Sequence, residues 1–185
     1  CWAACDRLAR ICAKLEIYGR ASFWLENADL IKKGILELAW NTDLGSFTDT
    51  FGGEGADASL LLMAELGFLS PDDHRFQGTL ALTERVLRKG AHIYRYNRPD
   101  DFGLPETSFN ICTFWFIDAL VAVGRTEEAR DLFENMLDCR NAVGLLSEDI
   151  DSSSGQLWGN FPQTYSMVGL IKSAIKLSEP WESAF

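Results

Sequence analysis

Three features of the 185-residue sequence predict an all-α fold. Apolar residues recur at three- and four-residue spacing in about seven separate segments. The apolar–polar alternation of half-buried strands is nearly absent. Connections between the segments are alternately short and long, the rhythm of helical hairpins set around an axis with one set of helices enclosed and the other half-exposed.

The first helix is expected over Trp2 to Tyr18, where Trp2, Cys5, Leu8, Ala9, Cys12, Leu15 and Ile17 keep near-helical spacing and Gly19 follows as a stop. The second, Trp24 to Trp40, carries Leu25, Ala28, Ile31, Ile35 and Leu38 on one stripe, with Gly34 costing it about 1 kcal/mol against alanine. Residues 41–55 hold too much Gly, Thr and Asp for a helix and read as a long loop with short extended pieces. Asp57 is placed to cap the next helix, which is apolar nearly all round, ends at Gly67, and is therefore expected to be an inner one.

Pro71-Asp-Asp opens a fourth helix that runs to Gly90. His92 to Tyr96 reads as extended, and Asn97 to Pro105 as loop. Phe109 to Val123 is so apolar around its circumference that it must be enclosed by neighbours, and its short length with Asp118 and Asn110 argues against a membrane span. Thr126-Glu-Glu-Ala opens an amphipathic helix as a near capping arrangement. Asn141 to Gln163 is a second long loop, with a hairpin tip at Asp151–Gly155 flanked by Leu145-Leu146 and Leu157-Trp158, and a last helix spans Ser166 to Leu177.

Composition narrows the function. A net charge of −10 leaves no basic surface for nucleic acid or anionic membrane, and no apolar run approaches the roughly 20 residues of a membrane span. The five cysteines, Cys1, Cys5, Cys12, Cys112 and Cys139, sit among apolar neighbours without a C-x-x-C pair. They read as buried thiols of a reducing, cytoplasmic setting, and no metal site or cofactor is expected. Gly52-Gly-Glu-Gly55 lacks the Lys-Ser/Thr of a phosphate loop, and Asp149 with Asp151 lacks calcium-loop spacing. The chain opens at Cys1 without Met and runs at once into a helical pattern, so a cut start is expected.

The most informative stretch is Gly144-Leu-Leu-Ser-Glu-Asp-Ile-Asp151, followed after the hairpin by Gly159-Asn-Phe-Pro-Gln163. With Cys1-Trp-Ala-Ala-Cys-Asp-Arg-Leu-Ala9, Asp57-Ala-Ser-Leu-Leu61, Tyr94-Arg-Tyr96 and Cys112-Thr-Phe-Trp-Phe-Ile-Asp-Ala-Leu120 in the same order, it resembles glycoside hydrolase family 15. The resemblance implies that residues 1–185 are a single partial catalytic domain, the C-terminal portion of an (α/α) six-hairpin barrel or toroid whose N-terminal part is missing. It also implies an inverting hydrolase that releases glucose from non-reducing ends of α-glucans or short α-glucosides, in the manner of a glucoamylase. The alternatives are an α,α-trehalase of the same family and an inactive helical module that binds sugar or protein.

Carried over residue by residue, the resemblance makes Glu148 the general base, Arg95 a donor to sugar hydroxyls, and Glu106 a sugar ligand or a helix cap. Phe161, in a loop, is the expected aromatic wall for a glucose ring; a buried helix explains Phe109 equally well as a sugar-facing role does, and core packing explains Trp115 better. From spacing alone Glu148 is a loop acid beside Asp149 and Asp151, and Arg95 a surface arginine. The partner acid implied by the family falls before residue 1, so the chain alone is expected to be inactive and to need the missing half.

Overall fold

The computed structural model describes residues 1–101 and 103–178, so residue 102 of the predicted loop and everything after Ser178 lie outside the description. Among the described residues helices α1 (Trp2–Lys14) and α2 (Tyr18–Leu38) form an antiparallel hairpin. The predicted stop at Gly19 is not used. Glu16 takes a φ of 60° instead, and the Ile17 N–H returns to the Cys12 carbonyl at 2.8 Å. A left-handed residue that satisfies the orphan carbonyls ends a helix whether or not it is glycine, so α2 starts ahead of the expected Trp24.

The loop of residues 41–55 contains the expected extended pieces, β1 (Trp40–Asn41) and β2 (Ser46–Phe47), paired antiparallel. Asp57 caps the following turn through the Ser59 N–H at 2.8 Å, as predicted. The enclosed helix expected after it does not form. A 3-10 turn (Ala58–Leu61) runs into the single-turn α3 (Leu62–Glu65), and only Ala58 and Leu61 are buried. Leu60, Leu62 and Met63 instead border an apolar cleft of about 220 Å³ with Trp2 and Phe68.

Helix α4 (His74–Leu87) begins beyond Pro71, where Asp73 accepts from the Arg75 N–H at 2.9 Å. It gives way before Gly90 to the hairpin β3 (Arg88–Lys89) and β4 (His92–Ile93), which turns through Gly90 at a φ of 62°. Helix α5 (Asn110–Ala122) is enclosed as predicted, every residue from Asn110 to Leu120 being buried. Phe114, Phe116, Ile117 and Leu120 are each 1% exposed or less, and burial of such side chains stabilises by about 1.5–3 kcal/mol apiece.

Helix α6 (Thr126–Asp138) returns beside α5, but Thr126 forms no cap. Arg125 precedes it, and its guanidinium holds Glu84 at 2.8 and 3.0 Å while also reaching Glu128. Helix α7 (Thr164–Leu177) lies parallel to α5. Asn110 and Ser166 share one acceptor near the two N-termini, while Asp118 meets Ser173 at 2.7 Å and Lys176 at 2.7 Å further along. The helices touch closely because Gly169 lacks a side chain: a Cβ there would stand 2.7 Å from Ile111 and 2.8 Å from Phe114. Among the described residues no helix is long and apolar enough to cross a membrane.

Candidate active site

The parallel starts of α5 and α7 build the platform for Glu148. The Ser147 carbonyl accepts from Asn110 Nδ2 at 2.9 Å and from Ser166 Oγ at 2.8 Å. The Glu148 carbonyl accepts from the Asn110 N–H at 2.9 Å, and the Leu146 carbonyl from the Gln163 N–H at 3.0 Å. The paired strands of the hairpin begin at Asp149 and not at the Leu145-Leu146 flank the sequence suggested, although single backbone bonds between the two limbs continue back to Leu146. Strands β5 (Ser108–Phe109), β6 (Asp149–Ile150) and β7 (Leu157–Trp158) pair in that order, with Asp149 between Phe109 and Trp158. The tip at Asp151–Gly155 forms as expected, and hydroxyls of Ser153 and Ser154 donating to Asp151 hold its carboxyl down at about 2.

Glu148 itself is half-buried, and the opposite limb of the hairpin holds it. Its N–H donates to the Asn160 carbonyl at 2.9 Å. Its Oε2 accepts from Asn160 Nδ2 at 2.7 Å and from the Asn160 N–H at 3.2 Å. Gly159 makes the approach possible: its φ is 76°, and a Cβ there would lie 3.0 Å from both the Cβ and the Oε2 of Glu148. The carboxylate borders a cavity of about 290 Å³ with Arg95, Tyr96, Pro105, Thr107, Phe109 and Asp149.

Arg95 reaches that cavity from the segment after β4. Its Nε donates to Asp57 Oδ1 at 2.7 Å, and its carbonyl accepts from the Ala58 N–H at 2.9 Å. Burial pulls the guanidinium's pKa down, but the Asp57 carboxylate more than offsets this and keeps it above its ordinary value. The group lies over the Trp115 ring at 5.9 Å, and Tyr165 stands edge-on to both Trp115 and Phe109 at 6.0 and 6.3 Å. One guanidinium is thus fixed by a carboxylate and an aromatic base, leaving its other N–H groups for a ligand.

Asp149, beside the base, accepts from Thr107 Oγ1 at 2.8 Å. Burial raises its pKa, the Thr107 hydroxyl opposes this, and the neighbouring Glu148 charge adds to the rise. Two adjacent carboxyls thus sit in different settings, one half-buried on a threonine and one pinned by an amide.

The structure brings Arg95 and Glu148 to one cavity. Glu106 borders an adjoining one of about 390 Å³ that shares Tyr96, Pro105, Thr107 and Asp149 with the first. Glu106 does not cap α5, whose N-cap is Phe109 without a side-chain bond. Phe161 is 49% exposed and is not among the residues bordering the first cavity, whereas Phe109 is. Sequence reasoning did not single out Thr107, Tyr96, Tyr165 or Asn160. Asn160 and Tyr96 left a signal, their places within Gly159-Asn-Phe-Pro-Gln163 and Tyr94-Arg-Tyr96. Among the described residues no group of three or more His, Cys, Asp or Glu side chains is disposed to hold a metal.

Helical hairpins that offer a fixed carboxylate, a braced arginine and aromatic rings beside the N-termini of α5 and α7 have the build of a carbohydrate-active protein. The chain belongs to glycosyl hydrolases family 15, whose family model matches residues 1–175. It is 39% identical to a trehalase of Thermoplasma volcanium over 96% of this chain and 29% of that protein. It is 37% identical to a trehalase of Mycobacterium tuberculosis over 100% of this chain and 27% of that protein. The chain therefore spans less than a third of the length of these relatives.

Its fold is similar to part of the helical barrel of a bacterial glucoamylase solved with acarbose, at a TM-score of 0.78, 19% identity, and coverage of 95% of this chain and 32% of that one. A glycosidase variant in complex with glucose matches at a TM-score of 0.77 and 20% identity, covering 90% of this chain and 47% of that chain. The (α/α) six-hairpin barrel expected from the sequence is the fold found, in part.

Proposed function

We propose that this chain supplies the base side of the active site of an inverting α,α-trehalase. The observation that carries the reading is Glu148, held on one carboxylate oxygen by Asn160 at the edge of a cavity bordered by Arg95 and Phe109. The other oxygen, Oε1, accepts no hydrogen bond from a described residue. The trehalose assignment takes its support from the two relatives above, both named trehalases, which favour it over the α-glucan substrate first expected.

In the reaction, Glu148 removes a proton from water as the water oxygen bonds to the anomeric carbon. The glycosidic C–O bond breaks on the opposite face, and a carboxylic acid protonates the departing oxygen. That acid belongs to a segment before residue 1, roughly 6.5–9.5 Å from Glu148 across the sugar. Arg95 and Glu106 bind hydroxyls, and Phe109 and Phe161 present ring faces to the glucose units. The role of Phe161 rests on its exposed ring directly following Asn160. The rest of a family-length enzyme completes the cavity, so the isolated chain is inactive.

The test is product stereochemistry in an enzyme of the relatives' length that carries this chain. Inversion of trehalose yields one α-glucose and one β-glucose, which proton NMR distinguishes before mutarotation. Glu148→Gln lowers kcat by about 10²–10⁴-fold. Full activity in that variant removes the base assignment. A second reading, hydrolysis of α-glucans, draws on the likeness to the glucoamylase fold and is tested by maltooligosaccharides in the same assay.

A further inference from the structure

We infer that Asn160 is a positioning residue that selects which oxygen of Glu148 acts as the base, an inference that rests on the assignment of Glu148 above. Both donors that Asn160 offers, the side-chain Nδ2 at 2.7 Å and the backbone N–H at 3.2 Å, fall on Oε2. With both donors on Oε2, Oε1 is the oxygen left without a hydrogen bond from a described residue. Rotation about its last torsion, broad for glutamate, is then restricted to orientations that keep Oε2 on the amide. The proton leaving water therefore goes to Oε1: the water O–H bond breaks, an Oε1–H bond forms, and Oε2 stays on Asn160.

Three other features make this more than a surface contact. The two residues are also joined through the backbone, Glu148 N–H to Asn160 carbonyl at 2.9 Å, so the side-chain pair is set by the hairpin register. Gly159 leaves the space next to Glu148 in which this register closes. On the far side, the Asn110 N–H holds the Glu148 carbonyl at 2.9 Å, so the main chain cannot follow a drifting carboxylate. The charged groups that share the cavity are Asp149, the next residue in the chain, and Arg95, which is itself bound to Asp57. Neither bonds to Glu148, which leaves Asn160 as its only side-chain partner among the described residues.

Asn160 is exposed and its backbone bonds survive substitution, so Asn160→Ala is expected to keep the melting temperature. In a family-length enzyme carrying this chain, Asn160→Ala lowers kcat for trehalose about ten- to a hundredfold while KM stays within about twofold. The isosteric Asn160→Asp, which replaces the donors with a second carboxylate, lowers kcat at least as far. The deciding measurement is a double-mutant cycle on a glucosyl fluoride, whose leaving group needs no protonation. A residue that acts only through Glu148 costs nothing further once Glu148→Gln is present.

Full kcat in Asn160→Ala, or losses that multiply in the double variant, overturn the positioning role. A Glu148→Gln variant that stays active defeats the base assignment instead, and the single substitutions separate the two failures.

Discussion

Adding one methyl group at Gly159 tests how tightly the hairpin controls the base. Gly155 and Gly159 lie on the same hairpin with nearly equal φ values, 72° and 76°, so alanine pays the same left-handed penalty of about 1 kcal/mol at each. Their surroundings differ. A Cβ at Gly155 meets nothing within 4 Å, whereas one at Gly159 stands 3.0 Å from the Cβ and Oε2 of Glu148. Ordinary carbon contacts begin near 3.5 Å, so Glu148 must retreat by about 0.5 Å and stretch its bond to Asn160. If a displacement of about 1 Å costs roughly a hundredfold in rate, half of that costs about tenfold. Gly159→Ala and Gly155→Ala are thus expected to lose similar stability in urea titrations, about 1 kcal/mol each. Only Gly159→Ala loses kcat on trehalose. Equal kcat in the two variants at equal stability refutes the contact argument, as does a Gly155→Ala enzyme that falls tenfold.

Glu84, bridging Arg125 and Arg88, has its pKa lowered chiefly by the Arg125 hydrogen bonds, so its stabilisation is complete above about pH 4.5 and drains away as the pH falls below that value. Glu84→Gln is expected to cost about 1–2 kcal/mol at neutral pH, with the difference from the parent shrinking towards pH 3 in acid unfolding curves. Val168, Ile171 and Ile175 are 50%, 55% and 70% exposed on one side of α7, so the isolated chain should bind a hydrophobic dye, and Ile171→Ser with Ile175→Ser should reduce the signal. A dye-silent chain would show that this face is not the adhesive one.

What was legible in the sequence followed from periodicity. The all-round apolarity of residues 109–123 announced an enclosed helix, and α5 is one, because no face of it tolerates water. The same reasoning failed for the segment after Asp57. Five apolar residues in a row, Leu60 to Ala64, describe composition and not partners, and the single turn of α3 leaves Leu62 and Met63 only partly buried beside the cleft with Trp2 and Phe68. Helix ends were misjudged wherever a rule names a residue type but geometry only asks for a conformation, as at Glu16, which does a glycine's work. In the site, Glu148 and Arg95 were reachable through resemblance. Thr107, Tyr165 and Asp57's grip on Arg95 were not, since each joins residues 38 or more positions apart or pairs rings on separate elements.

The position of the base is a property of helix packing more than of the loop that carries it. A single carbonyl, Ser147's, is bonded from α5 by Asn110 and from α7 by Ser166, so any sliding of one helix along the other must break one of the two bonds. The register between the helices is fixed twice more, by Gly169 seated against Ile111 and Phe114, and by buried Asp118 bonded to Ser173 and Lys176. Packed cores do not deform continuously, so this register has one value and Glu148 inherits it. The carboxylate is therefore placed by where α5 and α7 begin, and not by the other residues of the cavity wall. The residues that fix this register, Gly169, Asn110 and Ser166, are small or polar and lie at the helix contact, and none of them touches the sugar in the proposed reaction.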